Sequence, residues 1–160
     1  FNRVTDANSS PIVADVGIVV IGEYPYAEWE GDNAFLNIDR ADVAIINRMR
    51  ERSNTLIVIL LSGRPMIISD ILFTADAFVA AWLPGTEGDG ITDVLFGDLP
   101  FTGRLPYTWP RSIEQIPFDF DNLPREGCDA PLFPFSFGLT TADSASPWLD
   151  LAAECLATSN

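Results

Sequence analysis

Three short apolar runs constrain what this chain is able to fold into. Val16–Ile21, Thr55–Leu61 and Ala77–Leu83 are rich in branched or aromatic residues, and each ends at a glycine, serine or proline turn. Runs this short suit strands, and no uninterrupted apolar stretch approaches the roughly 18 residues of a membrane span. The reading places strands over 15–21, 55–61 and 77–83. Between the first two, Asp39 to Ser53 sets Val43, Ile46 and Met49 at helical spacing, with Asp39 as N-cap. A second helix is expected over 87–96, stopped by Gly97. Strands alternating with helices imply parallel pairing and right-handed crossovers, hence an α/β fold. The first run is almost wholly apolar, as in a strand buried on both faces.

The texture changes beyond Asp98. Proline recurs at 100, 106, 110, 117, 124, 131 and 134 with Phe and Trp between, which excludes a regular helix and predicts an irregular wrap over a surface. The expected organisation is an irregular lead-in over 1–14, an α/β portion over 15–98, the wrap over 99–141 and a tail over 142–160. The stretch 66–74 begins extended and has room for a short helix, and a further one fits 147–156. Three parallel strands are few for independent stability, and both outer strands need covering or pairing. The missing surface argues for a neighbouring domain or chain.

At 160 residues and 48% hydrophobic content there is enough material for one real core. Nine Lys and Arg stand against 23 Asp and Glu, a net charge of −14. Such a field repels nucleic acid and anionic lipid, and leaves neutral ligands compatible. Histidine is absent, which excludes Ser-His-Asp and Cys-His catalysis and HExxH zinc sites within this chain. Acid–base chemistry therefore falls mainly to carboxylates, and no cofactor or metal is expected. Cys128 and Cys155 are too far apart for a CxxC motif; two free thiols and one disulfide closing the tail both fit, the disulfide if the protein is exported. The chain begins without methionine or a signal-peptide pattern and reads as a piece of something longer. Asn8-Ser9-Ser10 is a lone glycosylation sequon.

One loop stands out. Gly22-Glu-Tyr-Pro-Tyr-Ala-Glu-Trp-Glu-Gly-Asp32 follows the first strand and carries Glu23, Glu28, Glu30 and Asp32 among Tyr24, Tyr26 and Trp29. Ligands of open α/β sheets bind beyond the carboxyl ends of strands, where this loop lies. Rings cover the apolar faces of a sugar, while acids bond hydroxyls or move a proton. Taken by itself, however, a solvated acidic loop accounts for the pattern better. Elsewhere the structural readings prevail. Gly85–Gly90 lacks the spacing and the lysine of a phosphate loop, and its acids would repel phosphate; Glu87 and Asp89 instead suit the start of a helix. Arg64 in Ser62-Gly63-Arg64-Pro65 is expected in an ion pair, Trp82 and Trp109 in packing, and Asp119 and Asp121 on the solvated face of an extended segment.

Six blocks in order carry a resemblance: Ile21–Asp32, Leu61–Pro65, Ala80–Gly88, Asp93–Asp98, Phe101–Trp109 and Pro131–Thr140. Over about residues 15 to 141 the chain resembles the C-terminal α/β sandwich domain of glycoside hydrolase family 3, in the branch of β-glucosidases and exo-acting β-glucan glucohydrolases. The resemblance implies part of a mainly parallel-sheet α/β sandwich followed by a Pro/Phe-rich irregular wrap. It also implies an active site shared with an N-terminal (β/α)8 barrel, which carries the aspartate nucleophile and has no counterpart here. The loop resembles the family motif Gly-Glu-x-Pro-Tyr-x-Glu-x-x-Gly-Asp, whose second glutamate is the acid/base. Carried over, that residue is Glu28. Glu23 matches the first glutamate, with the task of holding the loop in shape; Glu30 falls at a variable position.

The resemblance thus implies retaining hydrolysis of β-glucosides or β-gluco-oligosaccharides, with Glu28 protonated near neutral pH by partial burial beside Tyr26 and Trp29 and by its acidic neighbours. Trp29 is placed to shape the leaving-group side. A secreted or periplasmic location and inactivity without the barrel portion follow from the same likeness. The competing class is a noncatalytic module that buttresses a partner or binds glucan without cleaving it.

Overall fold

The computed structural model describes residues 13–143 and 154–155. The chain forms strand β1 (Ala14–Gly22), helix α1 (Arg40–Arg50), strand β2 (Ser53–Leu61), strand β3 (Ala77–Ala80) and helix α2 (Gly88–Leu95). Single turns of 3-10 helix occur at Glu28–Gly31, Leu72–Thr74 and Ile113–Gln115. The sheet has the order β1-β2-β3 with both pairings parallel, as the alternation of strands and helices requires. Gly17, Val19 and Ile21 stand opposite Leu56, Val58 and Leu60, and Val58 and Leu60 stand opposite Phe78 and Ala80.

That register puts one set of side chains on one face, and the core lies there. Val19, Ile21, Leu56, Val58 and Leu60 are buried against Ile46 of α1. Asp39 caps α1, its carboxylate accepting the Ala41 N–H at 2.7 Å. The helix ends at Arg50, three residues earlier than its periodicity suggests. There the Arg50 guanidinium turns to donate to the Ser53 and Asn54 carbonyls and to Asp76. The ambiguous stretch after β2 settles as a lining of the same core, burying Met66, Ile68, Ile71 and Leu72. From the Pro/Phe-rich portion, Trp109 and Leu132 complete it. Trp109 is buried and donates its indole N–H to the Met66 carbonyl at 2.8 Å.

The other face differs from the expectation for β1. Within the described residues β1 is buried on one face only: Val16, Ile18 and Val20 are 52%, 37% and 58% exposed. The physical reason is that, among the described residues, only α2 and the residue after it meet that side. Ile91, Thr92 and Leu95 of α2, with Phe96 just after it, meet Ile18, Val20, Ile59 and Leu61 around an open apolar groove of about 270 Å³. Helix α2 spans 88–95 and gives way to Gly97 in a left-handed conformation, φ +88°. Strand β3 is shorter than its apolar run. The regular strand ends at Ala80, though the Ala81 N–H and the Trp82 carbonyl still bond to β2 and its following turn. At Trp82 the backbone turns left-handed, φ +53°, and the ring packs 5.9 Å from that of Trp109 and 6.1 Å from that of Tyr107.

Residues 99–141 carry one isolated antiparallel bridge, Trp109 with Phe133, and one short 3-10 turn. Cys128 and Cys155 form a disulfide, which resolves the two options left by their spacing. Glu154 and Cys155 are helical; the remainder of the short helix expected over 147–156, the sequon at Asn8 and most of the lead-in lie outside the described residues.

Candidate active site

The acidic loop leaves β1 at its carboxyl end, beside the ends of β2 and β3. Its first residue is tied to the sheet, the Glu23 N–H donating to the Leu61 carbonyl at 3.0 Å. Its far end is tied as well. Asn33 accepts the N–H groups of Phe35 and Leu36, and the Leu36 carbonyl accepts the Ile67 N–H at 2.8 Å. Between these anchors, Glu28–Gly31 closes into a 3-10 turn with the Asp32 N–H on the Trp29 carbonyl.

Arg64 joins the parts. Its Nη2 and Nε lie 2.6 Å and 3.1 Å from Glu23 Oε1, and Nη1 donates to the Gly31 carbonyl. The guanidinium stands 4.5 Å from the centre of the Tyr26 ring, whose hydroxyl donates to Glu23 Oε2 at 3.3 Å. The expected ion pair therefore exists, and its partner is Glu23. Glu23 and Arg64 side chains are only 13% and 25% exposed, so the pair is screened less than a surface pair. Tyr26 also packs on Gly31: a Cβ there would stand 2.4 Å from the ring, which explains glycine at this position. The loops after all three strands meet here, since a Cβ on Gly63 would lie 2.9 Å from the Tyr26 hydroxyl and 3.6 Å from Leu83. Burial first, and then the Glu23 carboxylate, hold the Tyr26 phenol above its usual value. In the first turn of α1, Asp42 is likewise raised, by burial and by Asp39.

Glu28 opens the 3-10 turn in a left-handed conformation, φ +49°, and is exposed. The partial burial expected beside Tyr26 and Trp29 is not supplied by the described residues. Trp29 is 74% exposed, and the Tyr26 ring is engaged by Arg64. Glu30 and Tyr24 are exposed too. Of the other residues weighed from sequence, Trp109 is in the core and Trp82 packs against it. Asp119 differs from expectation: it accepts the Asp121 N–H and the Asn122 amide in a turn rather than lying along an extended segment. Among the described residues no three His, Cys, Asp or Glu converge on a metal position. None of their helices is long and apolar enough to cross a membrane. Sequence reasoning named Tyr26 as a neighbour of Glu28 rather than as the ring under Arg64, and did not find the Gly31 carbonyl or Leu83 at this junction; the Gly-Asp pair closing the loop was the only local signal for the Gly31 carbonyl.

Residues 2–141 match the profile of the glycosyl hydrolase family 3 C-terminal domain. The chain belongs to this family. It is 35% identical over 131 residues to a lysosomal beta glucosidase of Dictyostelium discoideum, covering 79% of this chain and 16% of that protein. It is 31% identical over 146 residues to a periplasmic beta-glucosidase of Salmonella typhimurium, covering 79% and 19%. Among solved structures, an exo-1,3/1,4-beta-glucanase from a Pseudoalteromonas species superposes with a TM-score of 0.68 at 39% identity, over 82% of this chain and 17% of that one. This family 3 domain thus spans less than a fifth of the length of these relatives.

Proposed function

We propose that this domain supplies Glu28 as the acid/base of a retaining, exo-acting β-glucosidase or β-glucan glucohydrolase, in a site shared with a (β/α)8 barrel that carries the aspartate nucleophile. One observation carries the reading: Glu28 is an exposed carboxyl at a strand's carboxyl end, in a left-handed backbone conformation held by a loop anchored on both sides. Sparsely populated backbone conformations persist in non-glycine residues where the surroundings impose them, and they cluster at functional sites. The named activities of the relatives support the substrate class.

In the first step the barrel aspartate attacks the anomeric carbon. The glycosidic C–O bond breaks, and its electron pair goes to the departing oxygen, which takes the proton of Glu28. In the second, water attacks the glycosyl-enzyme, Glu28 accepts its proton, and the aspartate leaves as carboxylate. A retaining pair requires the two carboxyls about 5–5.5 Å apart. An exposed Glu28 in this domain is in keeping with a partner that closes over it and supplies the burial its proton needs. The domain alone lacks a nucleophile and is expected to be inactive. The Cys128–Cys155 disulfide supports an exported or organellar enzyme.

The test is Glu28→Gln and Glu28→Ala in the complete enzyme, assayed on an activated aryl β-glucoside and on an unactivated disaccharide. Acid/base duty requires a loss of about 10²–10⁴-fold on the disaccharide, a smaller loss on the aryl substrate, and azide rescue of the alanine variant. Unchanged turnover of both substrates rejects it in favour of a noncatalytic module.

A further inference from the structure

We infer that Arg64 is a positioning residue for the acid/base carboxyl: one guanidinium that sets where Glu28 stands by gripping the loop on both sides of it. The inference rests on the reading of Glu28 as acid/base. Three contacts carry it. Nη2 and Nε hold the Glu23 carboxylate before Glu28, and Nη1 holds the Gly31 carbonyl after it. Between them, the guanidinium carbon stands 4.5 Å over the centre of the Tyr26 ring. Glu28 is therefore the free apex of a segment whose two feet share one cation.

The geometry explains why arginine occupies the position. A planar fork directs separate N–H groups at two acceptors in fixed relative positions, and stacks on a ring while doing so. Lysine offers one strongly hydrated ammonium and reaches Glu23 or Gly31, but does not hold their separation fixed. The backbone that carries Arg64 is itself set, since Ser62 donates its hydroxyl to the Arg64 carbonyl at 2.8 Å and its N–H is bonded to the Trp82 carbonyl at 3.2 Å. Proton donation tolerates little displacement: a misplacement of about 1 Å costs on the order of 10²-fold in rate. The selective consequence concerns the leaving group. A poor leaving group needs the proton in the transition state and a good one does not, so a shifted Glu28 is felt by the first and spared by the second.

Arg64→Lys in the complete enzyme tests this, with kcat/KM measured for a series of aryl β-glucosides of rising leaving-group pKa and for an unactivated disaccharide. The expected result is a loss of about 10²-fold on the disaccharide, a change within about threefold on the best leaving group, and a steeper dependence on leaving-group pKa. Arg50→Lys, which alters an ion pair away from the loop, serves as control and is expected to lower the melting temperature without changing that slope. Glu23→Gln removes the charge partner while keeping an acceptor, and is expected to steepen the slope in the same way; it stands in should the Arg64 variant fail to fold. A uniform loss across all leaving groups, or an unchanged slope in a folded Arg64 or Glu23 variant, overturns the positioning role. If Glu28→Gln shows the leaving-group signature and the Arg64 and Glu23 variants do not, the acid/base reading stands and only this inference fails. If Glu28→Gln shows none, the acid/base reading itself fails.

Discussion

Asp76 Oδ2 accepts two hydrogen bonds at once, from Arg50 Nη1 at 2.6 Å and from the Leu56 N–H at 2.7 Å. The Leu56 amide, and after it Arg50, hold this carboxyl below its ordinary value. The same guanidinium donates to the Ser53 and Asn54 carbonyls, so the end of α1, the start of β2 and the residue before β3 meet at one point.

A folded-state pKa below the unfolded one gives stability that is present above the unfolded value and lost as pH falls through the folded value. Asp76→Asn is therefore expected to lower the denaturation midpoint of the complete protein at pH 7. The difference from wild type should shrink as pH drops below about 4. Urea titrations of both proteins at pH 7 and pH 3 check it. A gap of equal size at both pH values would show that the carboxylate charge contributes nothing.

Trp109 ties the Pro/Phe-rich portion to the core through its buried ring and its bond to the Met66 carbonyl. Trp109→Phe keeps most of the apolar contact but leaves that buried carbonyl unpaired, at an expected cost of about 1–3 kcal/mol. Trp109→Ala adds a cavity and should cost about 3–5 kcal/mol. Chemical denaturation ranks the two; equal stability of the phenylalanine variant and wild type would show that the hydrogen bond is dispensable.

The Cys128–Cys155 disulfide spans 27 residues of sequence. On the chain-entropy account a loop of this length contributes about 3.5 kcal/mol, acting on the unfolded state. The double serine variant should lose stability of that order, and reducing agent should destabilise wild type while leaving the variant unmoved.

The exposed face of β1 bears on how the 160-residue chain behaves when expressed by itself. With Val16, Ile18 and Val20 in water, the isolated chain is expected to associate and to melt without cooperativity. Ile18→Thr with Val20→Thr should raise its solubility. Monomeric sedimentation and a sharp melt of the unaltered chain contradict the expectation.

Much of the scaffold was legible in the sequence because local patterns decide it. The helix beginning at Asp39 and the parallel strands ending at Gly22 and Leu61 follow from periodicity, capping and punctuation. What escaped depends on partners distant in sequence. Trp82 and Leu83 prolong an apolar run past the end of β3 because Trp82 packs on Trp109, which no local pattern records. Val16, Ile18 and Val20 read as buried because an apolar strand states that cover exists without stating which polypeptide provides it. At the candidate site, the ion pairing of Arg64 followed from two loops sharing one sheet edge. Its grip on Gly31, and the ring of Tyr26 beneath it, required coordinates.

The Trp109 anchor reaches further than the core. Met66, whose carbonyl it holds, is two residues from Arg64. The irregular outer polypeptide is thus a tensioner for the edge where the acidic loop begins. A protease nick near Arg104, far from Glu28 in sequence, would slacken that edge and loosen the candidate site from behind.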